Sequence, residues 1–533
     1  MKDLKLFLGF SLSVLCFPLF GQPAAVISQT EEGNPRQYAE TIQASDLNRH
    51  LVTLASDEYE GRETGTVGQK KAADYIAAQF EAMGLEKRGA DGTYFQPIAY
   101  TAENWESIDL QVGKTDFRHL WDFYSYPAFN SDVPLATFNE IMFLGYGIDD
   151  PAYSDYDGVN VRDKAVLIYP GEPKSAEGIS FLTGTSSESE WSGNWIKKIE
   201  AAYQNGAAVV FIIDPQVQKT IAAQRQLLLN PRFRIGKGEE PENKYANSVF
   251  ISTTVAKEML GRRYKKVIKA RDAILVDGKP RSVKLKTNCT LAQDKRVRQI
   301  IGENVLGYIE GTDPALREEL IIVSAHYDHL GKKGDDIYNG ADDNASGTST
   351  VMEVAEAFQE AKKAGAGPRR SMLFLLVSGE EKGLLGSRYY VENPIFPLEN
   401  TVADVNVDMV GRVDEAHAGN PNYIYVIGAD RLSTELHAIN EKMNANYTHL
   451  ELDYTYNAED DPNRYYYRSD HYNFAEKGIP AVFFFNGTHA DYHMITDTSD
   501  KIDYEKMAVI GRLVFHTSWE LANRNKRIEV DVK

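Results

Sequence analysis

The sequence predicts an α/β protein, in which a mixed, mostly parallel sheet is covered by helices and interrupted by an inserted α+β module. One observation is a set of continuous apolar runs in the second half of the chain, which is typical of strands buried on both faces. These runs are residues 320–325, 372–377, 402–409 and 481–485. A helical pattern over about 346–364 has the length of a crossover between parallel strands.

The inserted module is predicted from a change in the sequence pattern between about residues 131 and 290. Short β-rich runs there are separated by Gly, Pro, Asp and Ser, and one amphipathic helix is expected at about 195–205. A chain of 533 residues is long enough for two to four domains at roughly 150 residues each. We therefore predict a signal segment at 1–21, a first part of the main domain at 22–130, the insertion at 131–288 and the rest of the main domain at 289–533.

In the first part of the main domain, two helices are expected. One begins near Ala44, with Ser45 as a candidate N-cap, and the other lies between Gly68 and Gly84. Apolar residues recur at helical spacing in both segments. Gly84 is predicted to end the second helix.

The N-terminus has the pattern of a secretory signal peptide. Lys2 and Lys5 precede an apolar stretch of about 15 residues that ends at Phe20. That stretch is shorter than the roughly 20 residues needed to span a membrane. Leu15 precedes Cys16 where lipoprotein signals have Gly, Ala or Ser, which argues against a lipoprotein. We expect an exported protein, periplasmic or extracellular, with no integral membrane span after removal of the signal.

Charge and cysteine content exclude two classes of function. Asp plus Glu number 77 against 58 Lys plus Arg, giving a net charge of −19. Nucleic-acid binding needs Lys and Arg to neutralise phosphates, so no nucleic-acid partner is expected. Cys16 and Cys289 are too few for a disulfide framework or a cysteine-rich zinc site. A metal site would have to be built from His, Asp and Glu; nothing in the sequence indicates an oligomeric state.

Histidine and acidic side chains follow the apolar runs at the points where the strands are predicted to end. In chain order they are His326, Asp343, Glu380, Glu381, Asp408 and His493. Sites in open α/β sheets form beyond the carboxyl ends of the strands, so these side chains are expected to converge. Imidazole and carboxylate groups both bind zinc. Five ligands with one shared carboxylate suit two zinc ions about 3.5–4 Å apart, and a further Glu could take a proton from water.

The order of these motifs resembles the co-catalytic zinc aminopeptidase family, peptidase family M28. The motifs are His326-x-Asp328, the Gly-Ala-Asp-Asp-Asn-Ala-Ser-Gly run that contains Asp343, Glu380-Glu381, Asp408, and His493-x-x-x-Asp497-Thr498. Residues 54–65 also resemble the N-terminal part of family members. The middle module resembles the protease-associated domain that is often inserted in this family. The resemblance implies a fold of the zinc-exopeptidase type.

The resemblance also implies a role for each site residue. Asp343 would bridge two zinc ions, with His326 and Asp408 completing one site and Glu381 and His493 completing the other. Glu380 would be the general base. Asp328 would accept a hydrogen bond from the ring of His326 and fix its tautomer. The choice of Asp343 over Asp342 as the bridge follows from alignment to the motif.

Several nearby side chains have alternative interpretations. His493 is preferred to His489 because the acidic residue and threonine of the family motif follow it. His329 is expected to be a surface or loop histidine. His471 either stabilises an oxyanion or is a packed histidine, and Tyr492 is a candidate substrate contact. The tyrosines at 465–467 either line a substrate pocket or pack.

The predicted function is that of an exported zinc metallo-exopeptidase, with an aminopeptidase favoured. It would hydrolyse N-terminal residues from peptides by a two-zinc-activated water and a Glu general base. Carboxypeptidases and a glutaminyl cyclase that share the fold are alternatives. From another class, the alternatives are a zinc-free peptide-binding protein and a surface interaction protein that works through its middle module. The sequence contains no His-Glu-x-x-His helix and no Gly-x-Ser-x-Gly nucleophile turn.

Overall fold

The computed structural model describes residues 34–237 and 244–532. The predicted signal peptide lies outside these residues. Within them, no helix combines the length and the apolar character that a membrane crossing requires.

The α-helices of the described residues are α1 (Pro35–Ala39), α2 (Ala44–Leu54), α3 (Val67–Met83), α4 (Glu190–Gly193), α5 (Trp195–Gln204), α6 (Val217–Ala223), α7 (Arg225–Leu229), α8 (Thr253–Leu260), α9 (Tyr264–Asp277), α10 (Gly347–Lys363), α11 (Leu385–Glu392), α12 (Thr434–Met443), α13 (His471–Glu476) and α14 (Tyr504–Asn523). The strands are β1 (Phe95–Val112), β2 (Thr115–Phe117), β3 (Phe123–Tyr124), β4 (Val133–Leu144), β5 (Asp149–Asp150), β6 (Tyr153–Ser154), β7 (Ala165–Ile168), β8 (Val209–Ile213), β9 (Arg232–Ile235), β10 (Asn247–Ile251), β11 (Ser282–Ile309), β12 (Leu320–His326), β13 (Gly331–Lys333), β14 (Asp336–Tyr338), β15 (Ser371–Val377), β16 (Thr401–Val407), β17 (Tyr423–Ile427), β18 (Glu451–Asp453) and β19 (Ala481–Phe485).

The four predicted apolar strands form the centre of the main sheet, which confirms the predicted fold class. They are β12, β15, β16 and β19, in the spatial order β15-β12-β16-β19, and each neighbouring pair is parallel. Antiparallel β17 extends the sheet beyond β19, and antiparallel β11 extends it beyond β15. The predicted crossover helix is α10, between β12 and β15.

Alternate residues of the central strands pack into two separate apolar layers, which explains why the runs are continuously apolar. In β12, for example, Ile321 and Val323 face the layer that contains α2, α3, α10 and α14. Leu320 and Ile322 face the layer that contains residues of α11 and α13. Both faces are therefore removed from water, and each buried methylene group stabilises the fold by about 0.8 kcal/mol.

Helix α3 shows how the local sequence sets an element's ends. The Thr66 side chain accepts a hydrogen bond from the Gln69 N–H and so caps the first turn. Gly84 follows the last turn with φ of +87°, and its N–H donates to the Phe80 carbonyl. A left-handed residue at this position favours glycine because it has no Cβ. The helix ends where the sequence predicts.

Two long strands join the main domain to the inserted module. β11 pairs with β15 near its C-terminal end and with β4 of the module over its N-terminal half. β1 pairs with β11 along most of its length. As a result the module's apolar core includes Ile108 of β1 and Leu291 of β11, which lie outside the predicted 131–288 limits. The predicted limit at residue 288 falls inside β11. The division into domains and the protease-associated identity stay predictions.

Part of the inserted module lies against the main domain close to the carboxyl end of β15. Strand β9 pairs antiparallel with β1, opposite the residues around Ala102. Phe233 of β9 packs with Tyr100 and Leu385 in a small buried cluster. The Lys382 ammonium lies 5.3 Å from the centre of the Phe233 ring. The module therefore contacts the loop that carries Glu380 and Glu381.

Arg62, in the segment that resembles the family's N-terminal part, forms hydrogen bonds to three separate segments of the chain. Its guanidinium donates to the carbonyls of Leu54 (2.6 Å), Tyr327 (2.8 Å), Asn339 (2.7 Å) and Gly340 (2.9 Å). Burial lowers the pKa of Arg62 to about 10, so the group stays charged at neutral pH. Arg62→Ala leaves buried carbonyls without donors, and we expect it to lower the free energy of unfolding by about 3 kcal/mol or more.

Urea unfolding followed by fluorescence and circular dichroism measures this effect. Arg298→Ala, at an exposed position on β11, is the matched control and should change stability by less than about 0.5 kcal/mol. Equal midpoints for the two variants would show that the Arg62 contacts are not stabilising.

Candidate active site

The candidate site lies where the four central parallel strands end. His326 is the last residue of β12, Glu380 and Glu381 lie in the loop after β15, and Asp408 directly follows β16. The loop after β19 supplies His493. Because these strands are neighbours and parallel, their carboxyl ends meet at one edge of the sheet, as predicted. Asp343 reaches the same edge from the turn at Ala341–Ser346, just before α10.

His326 is the centre of a first group of possible ligands. Its Nε2 atom lies 3.2 Å from Asp408 Oδ1 and 3.5 Å from Asp343 Oδ1. Glu380 is slightly farther away, with Oε2 4.0 Å from the same nitrogen. His326, Asp343 and Asp408 are 1%, 4% and 7% exposed, so these three side chains are almost removed from solvent, whereas Glu380 is partly exposed.

A second group lies on the other side of Asp343. His493 Nε2 is 3.0 Å from Asp343 Oδ2 and 3.5 Å from Glu381 Oε1. The two oxygens of Asp343 therefore face different groups, Oδ1 toward His326 and Oδ2 toward His493. This is the geometry expected of a carboxylate that bridges two ions.

The neighbouring carboxylate, Asp342, points away from both groups. It accepts hydrogen bonds from the Gly411 N–H at 2.7 Å, and its other oxygen lies 3.2 Å from His489 Nε2. Asp497 holds this turn, since its carboxylate accepts hydrogen bonds from the main-chain N–H groups of Asp342 and Asp343. The structure thus gives a physical reason to prefer Asp343 to Asp342, and His493 to His489.

Asp328 supports the site differently from the predicted arrangement. His326 Nδ1 lies 3.1 Å from the main-chain oxygen of Asp328 and 3.8 Å from its carboxylate. The carboxylate accepts hydrogen bonds from the Thr64 hydroxyl (2.7 Å) and the Glu380 N–H (3.2 Å). The tautomer of His326 is therefore set by a carbonyl, while the Asp328 side chain positions the loop that carries Glu380.

Ser469 and Thr64 are supporting residues that the sequence analysis missed. The Ser469 hydroxyl donates to Asp408 Oδ2 at 2.7 Å, which orients the oxygen that faces His326. Such partners commonly fix the ligands of metal sites. Both lie far from their partners in sequence and carry no motif of their own that identifies the contact.

His329 is also closer to the site than the sequence predicts. It lies in the loop after β12 but is fully buried rather than at the surface. Its Nδ1 atom is 2.8 Å from Glu381 Oε1 and 3.7 Å from Asp343 Oδ2. The expectation of a surface histidine is wrong because the loop turns inward beneath the acidic cluster.

A pocket of about 370 Å³ opens over the first group. Besides His326, Asp343, Glu380, Asp408 and His493, its wall is formed by Met409, Tyr465, Arg468, Phe483, Phe485, Thr488 and Tyr492. The Tyr492 ring stacks on His493, with ring centres 3.9 Å apart. The wall is therefore largely aromatic and apolar, and its floor is acidic.

The remaining predicted residue, His471, does not line this pocket. It is fully buried at the start of α13 and stacks on Phe483 with ring centres 4.8 Å apart. Burial lowers the pKa of His471 to about 3, so the ring is neutral. Its position matches the packed-histidine alternative. Of the tyrosine run, Tyr465 lines the pocket, whereas Tyr466 packs against His471.

The chemistry of the two groups fits metal ions. Two atoms bound to one tetrahedral zinc at 2.0–2.1 Å lie about 3.3 Å apart. The nitrogen–oxygen separations of 3.2 and 3.5 Å around His326, and of 3.0 and 3.5 Å around His493, are close to that value. Burial by itself lowers the pKa of His493. The hydrogen bonds and charges of Asp343 and Glu381 outweigh this effect and raise the pKa to about 10, so these carboxylates strongly attract positive charge.

The comparisons with known proteins match the part of the chain that carries these residues. Residues 304–518 match the model of "Peptidase family M28". A "Probable leucine aminopeptidase" of Trichophyton verrucosum is 30% identical over 216 residues, which are 39% of this chain and 56% of that protein. "Aminopeptidase YwaD" of Bacillus subtilis is 26% identical over 240 residues, 42% of this chain and 46% of that protein. The chain thus spans about half the length of these curated relatives.

Solved structures share the fold over almost the whole chain. An aminopeptidase from Aneurinibacillus sp. strain AM-1 covers 94% of this chain and 98% of its own, with a TM-score of 0.57 and 18% identity. The alignment with a zinc aminopeptidase from Bacillus subtilis covers 92% of this chain and 99% of that protein, with a TM-score of 0.51 and 19% identity. The resemblance stated from the motifs is therefore confirmed over residues 304–518, which match the model of peptidase family M28 and carry both groups of histidine and acidic side chains.

Proposed function

We propose that this chain is a zinc-dependent aminopeptidase that removes N-terminal residues from peptides. The observation that carries the proposal is the position of Asp343, whose two oxygens face two separate histidine–carboxylate groups at the floor of a pocket. The family match supports peptidase activity, and the names of the Trichophyton verrucosum and Bacillus subtilis relatives support an aminopeptidase. A relative named "Probable glutamate carboxypeptidase" keeps a carboxypeptidase as the alternative.

His326, Asp408 and Asp343 are the proposed ligands of one ion, and Asp343, Glu381 and His493 of the other. Zinc in such a pair activates water and polarises the carbonyl oxygen of the scissile bond. His326, Asp343 and Asp408 are buried, which keeps competing water away from these carboxylates and strengthens their interaction with positive charge, whereas Glu381 and His493 are partly exposed.

Glu380 is the proposed general base. Its side chain lines the pocket beside the His326 group but lies farther from the histidine nitrogen than Asp408 and Asp343 do. Burial raises the pKa of its carboxyl well above the usual range, which makes it a stronger proton acceptor. Glu380 would take a proton from the attacking water and then deliver it to the nitrogen of the leaving amine.

The acidic floor gives a reason for exopeptidase activity. A peptide's free N-terminus is an ammonium group, and the carboxylates of the floor favour its approach. The aromatic wall, with Phe483, Phe485 and Tyr465, offers apolar surface to the first side chain. Tyr492, stacked on His493, is the proposed contact to the substrate backbone. An N-terminal residue with an apolar side chain therefore fits the pocket best.

Arg468 gives the pocket rim a positive charge that can bind a substrate carboxylate. Its guanidinium lies 4.9 Å from the centre of the Tyr465 ring, and in the described part of the chain it forms no ion pair. Arg468→Gln should raise KM for dipeptides with a free C-terminal carboxylate by about 3- to 10-fold, because a charge-assisted hydrogen bond is lost. KM for the matching aminoacyl-anilide, which has no carboxylate, should not change.

Arg464→Gln is the matched control, since Arg464 also stacks on a tyrosine, Tyr467, but does not line the pocket. An equal rise in KM for the dipeptide and the anilide would assign Arg468 to packing of the pocket wall instead.

A substrate panel tests the proposed activity against its alternatives. Leucyl-anilide should be hydrolysed, with activity lost in chelator and recovered on addition of zinc. Peptides blocked at the N-terminus but free at the C-terminus should stay intact, and peptides with N-terminal Gln should not cyclise. Cleavage of the blocked peptides would indicate a carboxypeptidase, and purified protein without bound metal would favour a binding protein.

We also propose that the protein is exported, on the basis of its N-terminal sequence. Cell fractionation with N-terminal sequencing of the mature chain is the test. The expected product begins after about residue 21, in the periplasm or the medium. A full-length chain retained in the cytoplasm would argue against export.

A further inference from the structure

His329 is a buried polar side chain whose local contacts do not explain it. It is fully buried, and neither of its ring nitrogens makes a hydrogen bond within residues 34–237 and 244–532. Buried polar groups are almost always satisfied, because leaving one unpaired costs about 1–3 kcal/mol. Glu381 Oε1, which faces this ring, also has no hydrogen-bond partner in that part of the chain. His329 Nδ1 and Glu381 Oε1 lie 2.8 Å apart without the geometry of a hydrogen bond, an arrangement that two ligands of one ion can have.

The distances identify what that partner can be. His329 Nδ1 lies 2.8 Å from Glu381 Oε1 and 3.7 Å from Asp343 Oδ2. The same two oxygens lie 3.5 and 3.0 Å from His493 Nε2. These four separations fall on both sides of the roughly 3.3 Å edge of a tetrahedral zinc site. His329, Asp343 and Glu381 therefore form one group of ligand atoms within 4.8 Å of one another, and His493 Nε2 contacts the same two oxygens.

The loop after β12 fixes the position of the His329 ring. The His329 N–H donates to the Arg62 carbonyl at 3.3 Å, and residue 329 bridges to Glu63. Gly340, with φ of +55°, lies against the ring, and a Cβ at that position would be 2.4 Å from its Cδ2 atom. Glycine at 340 thus provides both the left-handed turn and the space for the imidazole.

We propose that His329 is a fourth protein ligand of the ion held by Asp343, Glu381 and His493. This inference rests on the proposed function. It makes the two ions unequal: the one at His493 is enclosed by four protein groups, whereas the one at His326 has three ligands and an open position on the side of Glu380. Sites with four protein ligands are typically structural, and sites with three are typically catalytic.

The inequality predicts stepwise loss of metal. As chelator increases, the native protein should lose one zinc ion first and keep the second to at least tenfold higher chelator. X-ray absorption spectroscopy of this one-zinc form should show two imidazoles on the retained ion. In His329→Ala, the two ions should leave at similar chelator concentrations, and any retained ion should show one imidazole. Elemental analysis and the absorption spectrum are the readouts, so activity is not needed.

His449→Asn is the control, because His449 is an exposed histidine whose left-handed backbone tolerates asparagine. It should lose zinc as the native protein does. One imidazole on the retained ion of the native protein, or unchanged stepwise loss in a folded His329→Ala, would overturn the inference. The proposed function would survive either result if the native protein still bound two zinc ions and hydrolysed leucyl-anilide. A native protein without zinc would instead overturn the proposed function.

Discussion

Glu380→Gln is expected to lower kcat for leucyl-anilide by about 10²- to 10⁴-fold, the usual contribution of a positioned general base. The amide has nearly the shape of the carboxyl group but cannot accept a proton from water. The zinc content should be unchanged, because Glu380 lies 4.0 Å from His326 Nε2 and is not one of the proposed ligands. KM should change little, since the pocket wall is retained. Steady-state kinetics and elemental analysis of the same preparation give both quantities.

Glu392→Gln is the control for this variant, because Glu392 is exposed at the end of α11. It should have native kinetics. Native kcat in Glu380→Gln would remove the general-base role, and a loss of zinc together with activity would instead make Glu380 a metal ligand.

Asp343→Ala is expected to have the largest effect on metal binding, because it removes one oxygen from each group. The two ions lose their shared ligand, and each of the two ligand groups then has one carboxylate fewer. We expect zinc after dialysis to fall from two ions per chain to fewer than one, and activity to fall by at least the same 10²- to 10⁴-fold as in Glu380→Gln. Elemental analysis measures the first and leucyl-anilide hydrolysis the second.

Asp343→Asn and Asp335→Ala complete this test. Asn keeps the size of the side chain and one oxygen, so it separates loss of charge from loss of packing. Asp335 is exposed in the loop between β13 and β14, and its substitution should leave zinc unchanged. Two zinc ions retained in Asp343→Ala would argue against the bridge.

The central sheet and the ligand candidates at its edge could be predicted because both leave a local signal. A strand buried on both faces must be continuously apolar, and a polar residue directly after it stands out, as His326 and Asp408 do. Once neighbouring strands are parallel, their ends have to meet at one edge. The convergence of Asp343, Glu380 and Glu381 at that edge follows from topology rather than from any single motif.

Other features could not be predicted because they depend on contacts between distant segments. His329 has no local pattern that distinguishes an inward-facing loop residue from a solvated one. The hydrogen bonds from Thr64 to Asp328 and from Ser469 to Asp408 join residues that are far apart in the chain. The limits of the inserted module were also hidden, since β11 is one strand of 28 residues that runs through both apolar cores.

The central claim is that zinc held around Asp343 removes residues from the N-termini of peptides. Digestion of a mixed peptide library, followed by mass spectrometry with and without chelator, tests it most directly. The account predicts products shortened by single residues at the N-terminus, with apolar first residues removed fastest, no products in chelator, and recovery on addition of zinc. Products shortened at the C-terminus, or cleavage that is unchanged in chelator, would contradict it.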